Sequence, residues 1–516
     1  MTRSLGETLS LLADKGKSNI SNHFYRGIEK ESLRISSNGS ISNSDHPSSL
    51  GSALTNAYIT TDFSEALLEL ITPKKDSIES ALLCLQEICK FLENSTDDRV
   101  WPSSIPCSIE NEASIRLADY GNSNSGRLKT LYRSGLSHRY GSMMQTVSGI
   151  HYNFSFDDDF FNALREEESL KEFKNNAYLN LIRNFRRNAW VILYLFGSSP
   201  VVPKTFITNR ENFLDELNAE DLFLENATCL RMSELGYMSK AQDNLFIAYN
   251  DIEEYLSDLK NALVTEHSRY AEVGLEKNGI PIQINTSIIQ IENEYYSSIR
   301  PKRVTPSGER PINILREKGI DYVEIRALDN NTFLPGGIDE ETSYFLEGYL
   351  LYSFFGEDKK SDRKEIEELL SNWQAVVRNG RDENQMLVKN GEEVSIKSAG
   401  LQLIDEIASF IDELPKEMEI FKEKVMASLG KQKLKFEDSN LTPSGKIVKQ
   451  LKEKNQSWQE LNYDLIKSHK EFYEKQNLNT EYLTKEAISS LQEFKRLQDV
   501  KEMPFEKFLE EYLKEI

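Results

Sequence analysis

The sequence predicts an α+β protein, on three observations. Alternating or β-branched runs are scattered through the first two thirds of the chain, at 22–72, 151–156, 282–296 and 321–331. Stretches with apolar residues at helical spacing separate them, at 76–94, about 170–196 and 247–264. The region after 338 is almost wholly helical in pattern and densely charged. Strands dispersed among helices, many of them suited to antiparallel pairing, give this class, and no fixed-period repeat competes with it.

The elements follow in order. MTRSLGETLSLLADKGKSN has only short apolar runs broken by acids, which is an amphipathic helix and not a leader. ESLRISSNGSIS carries Asn38-Gly39 between two short alternating runs, a hairpin signal. Residues 117–145 form a polar, Gly-containing loop and then a helix around TLYRSGLSHRYGSMMQ. HYNFSF alternates as a strand, and one long helix runs from about 170 to 196, ending in the core segment AWVILYLFG. CLRMSELGYMSK leads to a helix at 247–264. IQINTSIIQIENEYY (282–296) is β-branched and reads as strand. IRPKRVTPSGERP (299–311) reads as a basic loop with three prolines, and DYVEIRALDNN as the next strand. The expected division is a catalytic α+β domain at 1–355 and a charged helical region at 356–516 packed on it. Heptad-like stretches such as LIDEIASFIDELPKEMEIFKEKV leave a coiled-coil use open.

Length and composition set further bounds. A chain of 516 residues with 39% hydrophobic and 28% charged residues is globular, with a soft expectation of about three domains. No stretch reaches the roughly 18 apolar residues of a membrane span. The net charge of −21 argues against a nucleic-acid partner, which needs a basic footprint. Four cysteines without a CxxC pair are expected to be small, buried, reduced side chains, and with no leader the expected location is the cytoplasm.

The candidate chemistry lies in carboxylates set among apolar residues. Glu29 and Glu31 lie two apart in GIEKESLRI; Asp62, Glu65 and Glu69 punctuate ITTDFSEALLELITP; Glu324 alternates with Arg326 in YVEIRAL; His151 opens HYNFSF. In a strand, residues i and i+2 share a face, so Glu29 pairs with Glu31 and Glu324 with Arg326. Two carboxylates at about 4 Å repel by roughly 4 kcal/mol at an effective dielectric near 20. Oxygen ligands with one imidazole suit Mg²⁺ or Mn²⁺, and the usual client of such a pocket is a polyphosphate. Plain structural alternatives stand beside this: Glu65 and Glu69 as a helical i, i+4 pair, His151 as a core polar group, Glu324–Arg326 as a structural ion pair. A ligase, a metal-dependent phosphohydrolase and an acidic ion-binding scaffold all remain open. TPSGK (442–446) lacks the spacing and the preceding strand of a phosphate loop.

RGIEKESLRI, ITTDFSEALLELITP, YGNSNSGRLKTLYRSGL, MMQTVSGIHYNFS, LRMSELGY, IQIENEYYSSIRPKR and YVEIRALD together resemble the glutamate–cysteine ligases of the proteobacterial type. The resemblance covers most of 20–340 and continues more loosely through LTPSGKIVKQL. It implies a glutamine synthetase-like fold, with an antiparallel sheet curved around the site. It implies ATP-dependent joining of the glutamate side-chain carboxylate to the amino group of cysteine through γ-glutamyl phosphate, the first step of glutathione synthesis. Metal ligation is carried over to Glu29, Glu31, Asp62, Glu69, His151 and Glu324. Catalytic roles fall on Arg326, Arg231 and Glu324, with Arg326 at the transferring phosphoryl group and Arg231 near the glutamate and phosphate groups. Binding of cysteine and glutamate falls on Phe63, Tyr132, Arg133, Leu136, Gln145, Tyr237 and Tyr296. Arg300, Lys302 and Arg303 are candidates for the nucleotide phosphates. The implied ligands are Mg²⁺ (or Mn²⁺), ATP, L-glutamate and L-cysteine, with glutathione as feedback inhibitor, no nucleic acid, no membrane, and a monomer. With no second ATP-binding domain in view, the expected product is γ-glutamylcysteine.

Overall fold

The computed structural model describes residues 5–208, 211–236, 241–242, 245–306 and 308–516. The opening amphipathic segment forms helix α1 (Leu5–Asp14), and the chain then enters β1 (Phe24–Ile35), a central strand of the main sheet. The short strands β2 (Ile59–Thr61) and β3 (Leu67–Ile71) follow, then helix α2 (Ile78–Ser95) and β4 (Arg99–Val100), which pairs with the end of β1. Helix α3 (Asn124–Tyr140) precedes β5 (Ile150–Phe156), and β6 (Ile299–Lys302) and β7 (Tyr322–Leu328) complete the sheet. The spatial order is β6-β7-β5-β1-β3-β2, and every neighbouring pair is antiparallel.

Strand alternation gives the sheet two unlike faces. Ile28 of β1 lies opposite Tyr152 of β5, which lies opposite Ile325 of β7, and all three are buried. They join one large core with Leu85 and Ile88 of α2 and with Phe345 and Leu346 of helix Glu340–Phe354. Burying a side chain of that size contributes about 1.5–3 kcal/mol. The same core runs past residue 355 to take in Leu403, Ile407, Phe421 and Val425, so the apolar stripes of helices Ile396–Asp412 and Glu419–Glu437 face inward. One charged pair sits in this layer: Arg26 of β1 makes a two-pronged contact with Glu347, 2.7 Å on each arm, and Tyr152 Oη donates to the same carboxylate at 2.8 Å. The other face of β1 carries Glu29 opposite His151 and Glu31 opposite Glu69.

Several sequence expectations are revised. Residues 282–296 are not a strand; the segment is coil with a short 3₁₀ turn at Glu292–Glu294. Its polar side chains supply the partners a ladder would have given. Ile284 N–H donates to Gln290 Oε1 at 3.0 Å, and Gln290 N–H to Glu294 Oε2 at 2.7 Å. Arg139 reaches across from α3 to the Asn285 and Ser287 carbonyls. Within the supposed loop 299–311, Ile299–Lys302 is the edge strand β6, where Pro301 is tolerated because an edge needs fewer donors. The helix expected over 170–196 is two, Leu170–Arg187 and Trp190–Phe196. Tyr349 Oη takes the Phe185 carbonyl at 2.5 Å, and Ala189 N–H turns to Arg186 O at 3.3 Å.

The Asn38-Gly39 turn forms, but its second arm is a single bridge between Ile35 and Ile41. Gly39 has φ +87°, and a Cβ there would lie 1.4 Å from Tyr463 Oη, so glycine is required twice over. The helix expected from 247 begins at Ile252, with Asp251 accepting from Glu254 N–H. After 338 a hairpin, Met386–Lys389 with Glu392–Ser395, interrupts the helices. TPSGK opens helix Pro443–Lys454, with Thr442 capping Gly445 N–H. The four cysteines are buried and free. Among the described residues no helix is long and apolar enough to cross a membrane.

Candidate active site

The charged face of the sheet opens into a cleft of about 330 Å³. Glu29, Asp62, Glu69, His151, Glu324 and Arg326 line it on the sheet side, and Phe63, Lys129, Tyr132, Arg133, Leu136, Gln145 and Tyr296 line the rest. Antiparallel register brings the acids together. Glu29, Glu69 and His151 each offer one ligand atom, and these atoms lie within 4.8 Å of one another. Glu69 is on β3, so the helical i, i+4 arrangement with Glu65 does not occur. Glu65 is buried in the turn before β3, where it accepts from the His46 and Asp119 N–H groups at 2.9 and 2.7 Å.

The imidazole orients this cluster. His151 Nδ1 lies 3.1 Å from Glu29 Oε2, and Asn153 Nδ2 donates to the other oxygen of Glu29 at 2.9 Å. A proton on Nδ1 leaves Nε2 with a bare lone pair. Nε2 is buried, has no hydrogen-bond partner, and faces Glu31 Oε1 at 3.8 Å. In that tautomer Nε2 and an ionised Glu31 Oε1 face each other as two acceptors, a buried gap that a cation would fill. This fits a divalent metal with oxygen and imidazole ligands.

The acids respond differently to their surroundings. Burial, then Glu29, Asp62 and Glu31, push Glu69 well above the usual carboxylate range. Burial also raises Glu31, with His151, Arg231 and Arg326 opposing it only in part. Burial works against ionised Glu29 too, but the hydrogen bond from His151 turns the balance and holds it low. Glu324 is held well below the usual range despite its burial, because Lys302, Arg326 and Arg300 surround it. Those cations lie 3.5, 3.1 and 3.3 Å away. Arg326 Nη1 also lies 3.5 Å from His151 Nδ1, which puts its guanidinium directly beside the acids.

The facing wall comes from α3, the turn after β2, and the 282–296 segment. Arg133 Nε donates to the Asp62 carbonyl, its Nη1 donates to Lys129 O at 3.0 Å, and the guanidinium lies over Tyr120 at 4.6 Å. Phe63 and Leu136 are buried. Gln290 Nε2 donates to the Tyr132 carbonyl at 3.2 Å, tying the 282–296 segment to α3. Tyr296 N–H donates to Gln242 Oε1 at 3.1 Å, which fixes the backbone there.

Two expected site residues stand apart from the cleft lining. Glu31 is buried beneath it, accepting from Gly149 N–H at 2.6 Å. Arg231 is fully buried, with Nε donating to Asp329 Oδ1 and Nη2 to Leu328 O, each at 2.7 Å. Tyr237 lies outside the described residues. The cleft also holds residues that sequence reasoning passed over: Lys129, Leu128, Ile284, Ile291, Asn293 and Tyr512. Lys129 was within reach, since it sits four residues before Arg133 on the same helix face; burial first, then Arg133, pushes it down to about 8. Tyr512 carried no such signal.

A second cavity of about 310 Å³ adjoins the cleft, and the two share Asn293 and Lys302. Arg300, Arg303, Tyr255 and Tyr322 also line it. Of the three basic residues, Arg303 turns away from the acids, with Nε donating to Gly319 O at 2.5 Å and a 3.6 Å contact to Asp321.

Comparison with known proteins bears on this site. A family model described as glutamate–cysteine ligase matches residues 9–376. A glutamate–cysteine ligase of Pseudomonas fluorescens is 41% identical over 484 residues, 92% of this chain and 90% of that one. A glutamate–cysteine ligase of a Janthinobacterium species is 38% identical over 512 residues, 98% and 97% of the two chains. The crystal structure of a Francisella tularensis glutamate–cysteine ligase in complex with AMP superposes with a TM-score of 0.89 at 36% identity, covering 96% of this chain and 98% of that one. A bifunctional glutathione synthetase from Pasteurella multocida shares the fold at a TM-score of 0.68 and 23% identity, over 95% of this chain and 57% of that one.

Proposed function

The chain belongs to the glutamate–cysteine ligase family, and from that premise we propose how its cleft performs the reaction. The enzyme is an ATP-dependent ligase that joins the side-chain carboxylate of glutamate to the amino group of cysteine, making γ-glutamylcysteine for glutathione synthesis. The observation that carries the residue assignment is the convergence of Glu29, Glu69 and His151 beside Arg326 in one cleft with an aromatic, partly apolar far wall.

A carboxylate acylates poorly because its leaving group would be oxide. Transfer of the γ-phosphoryl group of ATP to glutamate makes a γ-glutamyl phosphate, and attack by the cysteine amine then expels phosphate. Both steps gather negative charge, which the enzyme must stabilise in advance. Arg326 is assigned to the transferring phosphoryl group, since its planar guanidinium suits phosphate and stands beside the acids. Glu29, Glu31, Glu69 and His151, with Asp62 and Glu324 at the margin, would hold Mg²⁺ or Mn²⁺. Bound there, the metal would neutralise the acids and the phosphate oxygens. Lys302 and Arg300, on the cavity beside the cleft, are assigned to the nucleotide. The AMP found in the Francisella ligase supports an adenine nucleotide here.

Tyr132, Leu136, Phe63, Gln145 and Tyr296 are assigned to cysteine and glutamate, with Arg133 near a substrate carboxylate. Their apolar surfaces also keep water from the acyl phosphate. Arg231 is assigned to positioning: buried against Asp329, it supports the backbone of β7 from below and lends positive potential to Glu31. We further read residues 356–516 as a helical buttress of the catalytic part, the enzyme as a cytoplasmic monomer, and glutathione as an inhibitor occupying the two amino-acid subsites.

The test is ADP release by the purified protein with Mg²⁺ and ATP, adding glutamate and cysteine separately and together. Brisk ADP release only with both, with γ-glutamylcysteine among the products, is expected. ADP formed equally well without an amine would overturn the assignment in favour of phosphate-ester hydrolysis.

A further inference from the structure

Helix Phe505–Lys514 lies far beyond residue 376, where the family model's match stops, yet one of its residues, Tyr512, lines the cleft. The helix is fastened at both ends. At its start, Asn124 N–H donates to Glu502 Oε2 at 2.5 Å and Asn124 Nδ2 to Met503 O at 2.9 Å, while Arg127 lies over the Phe505 ring at 4.1 Å. At its end, Arg310 lies 4.5 Å over the Tyr512 ring, and Asn313 Nδ2 donates to Glu515 O at 2.9 Å. Arg310 is itself fully buried and paired with Glu292 at 3.2 Å.

Between these anchors the helix packs into a small apolar cluster separate from the main core. Phe505, Phe508 and Leu509 meet Leu131 and Tyr132 of α3 and Ile284 and Ile291 of the 282–296 segment. Four of the residues around this cluster, Leu128, Tyr132, Ile284 and Ile291, face the cleft as well. The helix therefore clasps together the two pieces of irregular or helical backbone that form the far wall, opposite the acids. The 282–296 segment has no sheet ladder; hydrogen bonds such as those of Arg139 and Gln290 hold its polar side, and the helix supplies its apolar packing.

We propose that helix Phe505–Lys514 is a working part of the cysteine subsite, in which the Tyr512 ring closes the wall begun by Tyr132 and sets how tightly the amine substrate is held. This rests on the assignment of that wall to cysteine. A small pocket distinguishes its substrate through packing of this kind, and a removed wall costs binding before it costs chemistry.

The experiment uses the full chain carrying Tyr512→Ala, Tyr512→Phe or Phe505→Ala, with KM for cysteine, glutamate and ATP, kcat, and thermal melting measured for each. Tyr512→Ala is expected to raise KM for cysteine about tenfold, with the other two KM values and kcat within about twofold. Tyr512→Phe keeps the ring and is expected to stay within about twofold of the parent throughout. Phe505→Ala loosens the helix from its far end and is expected to reproduce the cysteine-selective rise. It carries the test alone if Tyr512→Ala melts early. An unchanged KM for cysteine in Tyr512→Ala and Phe505→Ala, a rise for ATP alone, or equal rises for all three substrates would overturn the proposal. A parent that makes no γ-glutamylcysteine would instead overturn the ligase assignment, before any variant is compared.

Discussion

Replacing Glu69 by glutamine should stabilise the metal-free protein while abolishing its best activity. Glu69 shares the cleft floor with ionised Glu29, their ligand atoms no more than 4.8 Å apart. One such pair repels by about 3.5 kcal/mol at an effective dielectric near 20. Lys129 and Arg133 and the open side of the cleft reduce this, so about 1–2 kcal/mol should remain at pH 8. The sign follows from linkage. The folded carboxyl is raised above its unfolded value, so its contribution to stability is complete below about pH 4 and is lost as pH rises. Glutamine keeps the shape and removes that loss. For a chain of 516 residues, 1 kcal/mol corresponds to about 1 °C in Tm, so Glu69→Gln should melt about 1–2 °C above the parent in EDTA at pH 8. The difference should vanish near pH 4. Adding Mg²⁺ should raise the parent's Tm by more than the variant's, because a bound cation relieves the repulsion that the variant lacks. Calorimetry at the two pH values, with and without Mg²⁺, reads all of this. A variant that melts below the parent in EDTA at pH 8, or that gains as much from Mg²⁺, refutes the reasoning.

Arg326→Lys removes the planar fork beside Glu324 and should lower kcat by about 10²–10³, with KM for ATP moving less than about threefold in steady-state ADP release. Glu347→Ala strands Arg26 beneath the sheet. It should cost about 3–5 kcal/mol by denaturant titration, while activity per folded molecule stays near the parent's. Glu93 is pushed up to about 7 by burial, against the weaker pull of Lys470 and Lys30. Its contribution to stability is full below about pH 4 and fades as pH rises through 7, so Glu93→Gln should flatten the decline in denaturation midpoint between pH 5 and pH 8 by the equivalent of about 1–2 kcal/mol.

How much of this was legible in the sequence depended on whether the cause was local. Strand alternation put Glu29 with Glu31 and Glu324 with Arg326, and Ile28, Val323 and Ile325 are buried on the opposite face, as that period requires. It could not give register, which is what sets Glu31 opposite Glu69 and Glu29 opposite His151. The β-branched run at 282–296 misled because propensity measures fit to a pleated surface, and here Gln290, Asn285 and Arg139 supply competing hydrogen bonds. The break at Asn188 depended on Tyr349, more than 150 residues away, competing for one carbonyl. Tyr512 is the extreme case: a wall residue delivered by the far end of the chain has no local pattern to betray it.

The sheet explains why so many acids can share one cleft without unfolding the protein. Glu29, Glu31, Glu69 and Glu324 each sit on a strand whose opposite face is packed in the main core, so none of them can move away without dragging apolar neighbours into water. Glu29 and Glu31 flank Lys30, and on that reverse face Ile28 is buried against Tyr152. Relief by motion is closed, and relief by protonation falls mainly on Glu69 and Glu31, the two carboxyls with raised pKa. Glu29 and Glu324 stay charged because particular donors hold them so: His151 and Asn153 for Glu29, the Arg300–Lys302–Arg326 group for Glu324. The cleft is thus divided in advance into a cation-seeking half around Glu29, Glu31, Glu69 and His151 and a phosphate-seeking half around Arg326, Arg300 and Lys302. Polyphosphate carried by divalent metal satisfies both halves at once, whereas a lone metal ion or a lone anion satisfies one. That asks for both parts of the ligand together and favours a nucleotide-consuming reaction over simple ion storage.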